Sequence, residues 1–241
     1  MQRVDRLFAN LGAPGAVVSL ATPVDDRWVA SLTEGERSLV ARAMDKRRRE
    51  FATGRRLARA ALAELGHRDA EILSGPDRAP IWPGGVAGSI SHCDHAALVA
   101  VTDAARATVG VDVEHRSALK TELWKSVFLA GEIEALERYF DSSSRGLFAL
   151  VLFSAKEALY KAQYPQTTTY MGFSELHVTI EPERDRASGR LVCTFQNDVG
   201  DASRAPDARF PAGFVAEGRY LLEATEHVRV ATSVLIPRAR G

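Results

Sequence analysis

Asp112 and Glu114 lie two positions apart in the apolar run Gly110-Val111-Asp112-Val113-Glu114. On a strand, residues i and i+2 project from one face. The two acids would then share a side, with Val111 and Val113 on the other. Adjacent carboxylates repel unless water or a cation lies between them. Oxygen-only ligands suit Mg²⁺, which takes one or two carboxylates together with water and substrate phosphate. Taken alone, the pentapeptide reads more readily as a wet strand end.

A second segment, Phe153-Ser154-Ala155-Lys156-Glu157-Ala158-Leu159-Tyr160-Lys161, has the character of a helix. Glu157 and Lys161 are four apart and share a face, while Leu152, Phe153 and Tyr160 serve the core. In isolation the pair is an exposed ion pair. Beside the strand acids, Glu157 becomes a third metal ligand or a general base, and Lys161 a phosphate contact. A third segment, Gly88-Ser89-Ile90-Ser91-His92-Cys93, sets small residues before a histidine at a strand end. That arrangement could hold Ser91 and His92 against an anion, although a lone histidine is more often a core or surface residue. His67, His95, His115, His177 and His227 follow no recognisable pattern. The basic run Lys46 to Arg49, with Arg55, Arg56 and Arg59, is a solvated face, a nucleic-acid patch or an anion site. Lysine plus arginine (31) balances aspartate plus glutamate (31), which argues against nucleic acid.

These segments need elements to position them. Residues 16–21 form a short strand between Pro14 and Pro23. Thr33-Glu34-Gly35-Glu36 is a capping box opening a helical stretch that breaks near Met44-Asp45 and stops at Gly66. A turn-rich loop over 74–85 leads to strands at 87–92, 96–102 and 107–114. Helices follow at 131–140 and 145–163, the second ended by Pro165. Strands are expected near 174–181, 190–196, 212–222 and 227–236, with a polar loop at 198–211. The order of helix, strands, helices, strands describes an α+β chain in two lobes, 1–106 and 107–241.

The 241 residues suffice for two compact lobes, and 46% hydrophobic with 26% charged residues is the balance of a globular protein. No apolar run reaches the roughly 18–20 residues needed to span a bilayer. The N-terminus is too charged for a secretory signal. Two cysteines, Cys93 and Cys193, carry neither disulfide-framework nor zinc spacing. The expectation is a cytoplasmic protein with reduced thiols.

In their order and spacing, three segments together resemble the Sfp class of phosphopantetheinyl transferases: Trp82-Pro83 through Gly88-Ser89-Ile90-Ser91-His92, Gly110 to Glu114, and Phe153 to Lys161. The basic helix from Lys46 to Leu62 resembles that family's as well, and the length suits its two-lobed members. The resemblance implies two pseudo-symmetric α/β lobes with the active site in the cleft between them. It also implies transfer of the 4′-phosphopantetheine arm of coenzyme A to a serine of an apo acyl, peptidyl or aryl carrier protein, releasing adenosine 3′,5′-bisphosphate. Asp112, Glu114 and Glu157 become the ligands of Mg²⁺ (or Mn²⁺), with Glu157 also the base. Lys161, Lys156, Ser91 and His92 become phosphate contacts, Arg47 and Arg55 the pair at the 3′-phosphate, and Arg78 a wall of the adenine pocket. A monomer suffices, serving nonribosomal peptide, polyketide, siderophore or fatty-acid synthesis. The chain departs from the family at Asp94-His95-Ala96-Ala97, where Gly-Tyr is common, a change that bears on local strand geometry. A non-catalytic coenzyme A or carrier-binding module would keep the fold but lose an acidic ligand or the lysine. A phosphohydrolase would use the same acids without a carrier.

Overall fold

The computed structural model describes residues 16–21, 24–115, 118–200, 209–226 and 228–238. Pro14, Pro23, His227 and residues 201–208 of the expected loop lie outside them. Strand β1 spans Val17–Ala21, helix α1 Glu34–Leu39 and helix α2 Asp45–Glu64. The capping box forms as its sequence requires: Glu36 N–H donates to Thr33 Oγ1 at 3.2 Å, and Thr33 N–H donates to Glu36 Oε2 at 3.1 Å. The same Glu36 carboxylate, fully buried, accepts Arg59 and the Ile72 amide, so one cap also ties α2 and the loop beyond it to α1. Gly66 ends the helix region at φ +89°, a conformation open to glycine without a Cβ penalty.

Strands β2 (Val86–Cys93), β3 (Ala96–Asp103) and β4 (Ala107–Glu114) follow. Asp94-His95 makes the two-residue turn between β2 and β3, whose register closes at Cys93 opposite Ala96, so the departure there leaves the hairpin intact. After a short helix α3 (Trp124–Val127), which the sequence pattern did not signal, come α4 (Ala130–Tyr139) and α5 (Arg145–Thr167). Strands β5 (Leu176–Pro182), β6 (Ser188–Phe195), β7 (Val215–Thr225) and β8 (Val228–Pro237) complete the chain.

The expected stop of α5 at Pro165 is corrected: the helix runs to Thr167. A proline within the last turn removes only one backbone hydrogen bond. The overrun is held by Thr167 Oγ1 donating to Gln163 Oε1 at 2.5 Å and Gln163 Nε2 donating to Thr169 O at 3.1 Å. Thr168, at φ +51°, ends the helix with its N–H on Tyr164 O.

The strands form two antiparallel sheets, β1-β3-β2 and β4-β8-β7-β6-β5. Alternation along β3 and β4 dictates the layering. Val99 and Val101 pack on Ala58, Ala61 and Leu62 of α2. Ala96, Leu98 and Ala100 turn the other way, onto Val109, Val111 and Val113 of β4 with Ala231 and Leu235 of β8. The far face of the larger sheet, through Val230, Val234 and Ile236, packs on Leu150, Ala155 and Leu159 of α5. The order of layers is therefore helix, sheet, sheet, helix. β2 and β4, edge strands of the two sheets, are joined by a side chain: Ser89 Oγ accepts the Val111 amide at 3.1 Å. Among the described residues, no helix is long and apolar enough to cross a membrane.

Candidate functional site

Gly110 allows α5 to approach β4. A Cβ built there would overlap the Ala158 carbonyl and come within 2.8 Å of Ala162 N. With odd-numbered residues of β4 facing the smaller sheet, Thr108, Gly110 and Asp112 face α5. Gln166 Nε2 donates to Thr108 Oγ1 at 2.6 Å at one end of this contact. At the other, Ser154 Oγ donates to Asp112 Oδ2 at 2.8 Å. Asp112 Oδ1 accepts Lys161 Nζ at 2.6 Å and Ser91 Oγ, from β2, at 2.7 Å. Lys161 Nζ is also 3.1 Å from Ser91 Oγ. Three segments remote in sequence thus meet on one buried carboxylate.

Glu157 stands one helical turn before Lys161. Burial pushes its carboxyl above the usual range; Asp112 adds to this and Lys161 opposes it. Glu114, half-buried, continues the Asp112 face of β4. Lys161 therefore pairs with a strand acid and not with its helical neighbour, a choice that i,i+4 spacing could not reveal.

His92 points from β2 toward the start of α2. Its Nδ1 is 3.4 Å from Glu50 Oε2, and its Nε2 is in hydrogen-bond contact with Arg47 Nη1. Burial, with Arg47 and Lys161 beside it, lowers the imidazole to about 4, so it is neutral at ordinary pH. Beside Lys161 a cleft of about 240 Å³ opens, walled by Arg78, Trp82, Ser89, Tyr160 and Tyr164. Arg78 sits at φ +68° in a tight turn whose Ala79 amide is capped by Asp77 Oδ1 at 3.0 Å. The indole of Trp82 lies where a Cβ on Gly88 would be, at 2.6 Å, so glycine is required there. Its buried Nε1 has no hydrogen-bond partner among the described residues.

Two expectations are corrected. Lys156 is not placed as a phosphate contact. It is fully buried on the opposite side of α5, its Nζ donating to Glu132 Oε2 at 2.6 Å and to the carbonyls of Val127 and Phe173, each at 3.0 Å. A helix turns about 100° per residue, so the neighbour of Glu157 faces the core instead of the cleft. Arg55 does not join Arg47 at the surface. It is 5% exposed and donates to Ile72 O at 2.7 Å and Ser74 Oγ at 3.0 Å, over the Phe51 ring. Burial lowers it to about 10. Its work is to tie α2 to the loop preceding the cleft.

Sequence reasoning missed Glu50, Ser154, Thr232 and Glu132. Ser154 lies inside the helical motif, which was a usable signal. Thr232, whose hydroxyl is 2.8 Å from Ser154 Oγ, lies 78 residues away and carried none.

Comparison with known proteins shows the family. Residues 35–102 match the model of the 4′-phosphopantetheinyl transferase N-terminal domain, and residues 108–204 that of the 4′-phosphopantetheinyl transferase superfamily. The chain is 38% identical over 188 residues to 4′-phosphopantetheinyl transferase Npt of Nocardia iowensis, covering 78% of this chain and 82% of that protein. It is 37% identical over 173 residues to 4′-phosphopantetheinyl transferase PptT of Mycobacterium tuberculosis, covering 71% and 75%. Enterobactin synthase component D of Salmonella typhi is 39% identical over 137 residues, covering 56% and 55%. The chain belongs to the 4′-phosphopantetheinyl transferase family. It is an enzyme that transfers the 4′-phosphopantetheine group of coenzyme A to carrier proteins, and the reading as a non-catalytic binding module is not favoured.

Proposed function

We propose that the site around Asp112 performs this transfer with a divalent cation, Mg²⁺ or Mn²⁺, and that the coenzyme lies between two lobes, 1–106 and 107–241. The observation that carries the proposal is the convergence of Ser91, Asp112 and Lys161 beside the Arg78–Trp82 cleft. The meeting of the two family matches between residues 102 and 108 supports the division. The donor chemistry fits a hard cation: Asp112, Glu114 and Glu157 would hold it through oxygen alone. Among the described residues no three histidine, cysteine, aspartate or glutamate side chains are gathered closely enough to enclose an ion. When bound, such an ion neutralises charge on the transferring phosphate.

The remaining chemistry falls to the protein. Transfer needs alignment and charge neutralisation more than covalent participation. The carrier serine oxygen bonds to the β-phosphorus, the bond to the bridging oxygen breaks, and adenosine 3′,5′-bisphosphate leaves. Glu157, with its raised proton affinity, takes the serine proton. Lys161, Ser91 and His92 face the phosphates where negative charge builds. Arg47, about half exposed beside His92, meets the 3′-phosphate, and Arg78 with Trp82 flanks the adenine. We assign the enzyme to the cytoplasm as a monomer acting on acyl, peptidyl or aryl carriers. Its likeness to an enterobactin synthase component supports siderophore or other nonribosomal peptide synthesis as its setting.

Intact-mass spectrometry of an apo carrier incubated with enzyme, coenzyme A and Mg²⁺ tests the proposal. A gain of about 340 Da, one phosphopantetheine arm, abolished by chelator and by Glu157→Gln, is the expected result. A gain that persists with chelator, or with Glu157→Gln, overturns the assignment of roles.

A further inference from the structure

The cation already seated on Asp112 carries an inference that rests on the reading above. The Asp112 side chain is 6% exposed, and protein donors engage both of its oxygens. The two oxygens differ in kind. Oδ2 is held by Ser154, itself fully buried and backed by Thr232, whose hydroxyl also donates to the Ser154 carbonyl at 3.0 Å. That side is fixed by packed elements. Oδ1 is held by Ser91 and by Lys161, whose side chain is 27% exposed and lines the cleft. An ammonium on a four-carbon stem is a mobile point charge.

A divalent ion on Oδ1 would share that oxygen with the Lys161 ammonium, whose Nζ lies 2.6 Å from it, and two cations held by one oxygen repel strongly in a partly buried site. One of them must leave. Lys161 has somewhere to go, because an anionic phosphate in the adjoining cleft offers it a new partner. We propose that Lys161 is an internal counter-ion that occupies the cation position on Asp112 until the coenzyme pyrophosphate draws it away. Metal and coenzyme binding are then positively coupled, each strengthening the other by the same factor. Ser154 and Thr232 keep Oδ2 aimed while Oδ1 changes partner.

The test is binding of Mn²⁺ alone to the full chain, followed by electron paramagnetic resonance with and without coenzyme A. The parent, Lys161→Met, Lys161→Gln and Lys161→Arg are compared after circular dichroism establishes that each is folded. The parent should bind Mn²⁺ weakly, and coenzyme A should tighten it by roughly tenfold or more. Lys161→Met and Lys161→Gln should bind Mn²⁺ without coenzyme roughly tenfold more tightly than the parent, while Lys161→Arg, which keeps the charge, should stay weak. Direct contact of the ion with pyrophosphate would also couple the ligands, but it would not raise affinity in the coenzyme-free neutral variants. Equal coenzyme-free affinity in parent and neutral variants, lowered in both by Asp112→Asn, overturns the counter-ion while leaving Asp112 as a ligand. No Mn²⁺ binding in any form, even with coenzyme, overturns both. Should the neutral variants fail to fold, absence of coenzyme coupling in the parent overturns the inference.

Discussion

Replacing Gly110 by alanine tests whether α5 rests on β4 as described. The added Cβ would overlap the Ala158 carbonyl and stand 2.8 Å from both Ala158 C and Ala162 N. These are backbone atoms of a packed helix, with no rotamer to give way. Contacts of this kind settle near 3.5–4 Å, and the closest here is 1.8 Å, to the Ala158 oxygen. Helix α5 must therefore retreat by well over 1 Å, roughly 1.5–2 Å, where it crosses β4. Overpacking costs about 1–3 kcal/mol, and backbone against backbone belongs at the upper end. Relieving a strand glycine of its entropic cost returns about 0.5–1 kcal/mol, for a net loss near 2 kcal/mol. At about 2–4 °C per kcal/mol for a chain of this size, the melting temperature should fall by about 4–8 °C. The same displacement carries Glu157 and Lys161, and a misplacement near 1 Å costs about 100-fold in rate. Differential scanning fluorimetry and the rate of carrier mass gain read the two effects together. A Gly110→Ala protein that melts within about 1 °C of the parent and transfers at half its rate or better would refute the close approach of α5 to β4.

Three further outcomes follow from particular side chains. Lys156→Met leaves Glu132 as a buried carboxylate without its cation and should cost about 3–5 kcal/mol, seen in denaturant unfolding. Coenzyme affinity measured on the folded fraction should hardly change, whereas a phosphate contact would give the reverse. Glu157→Gln removes a charge that burial and Asp112 both disfavour, so melting temperature should hold or rise while transfer falls by about 100-fold or more; a fall in both would sink the assignment of Glu157 as a base outside the stability core. For His92, the unfolded chain takes up a proton below the ordinary value of 6.5, which the folded chain refuses until about 4. Stability should therefore decline on acidification across that window. His92→Gln should flatten this decline in melting temperature against pH, and an unchanged slope would show that the imidazole is not held neutral.

What the sequence disclosed divides along the range of the interactions. The Thr33–Glu36 cap, the break at Met44 and the turn at Asp94-His95 are decided by neighbours within a few residues, and each stands as its local chemistry requires. The strands around Asp112 announced themselves by alternation. Lys156 and Arg55 are phosphate contacts by the family resemblance alone. Each is buried by partners that no local pattern foretells: Glu132 lies 24 residues before Lys156, and the carbonyl of Ile72 lies 17 after Arg55. The overrun past Pro165 likewise depends on a Gln163 amide reaching Thr169 O. Ser91, Asp112 and Lys161 were each named from sequence, but their meeting on a single carboxylate oxygen is a property of the β2–β4 edge contact.

The placement of β4 has a consequence for when the site can breathe. Its odd side chains are sealed under the smaller sheet and its even ones under α5, while β8 pairs along its whole length. Releasing the Asp112 amide to solvent therefore means parting both layers at once. Local opening events spare segments of this kind, which exchange only through global unfolding. In hydrogen–deuterium exchange, amides of 109–113 should belong to the slowest set of the protein, and those of the 74–85 loop to a faster one. The backbone that carries Asp112 is thereby held between β8 and the two layers, and local opening is left to segments such as the 74–85 loop.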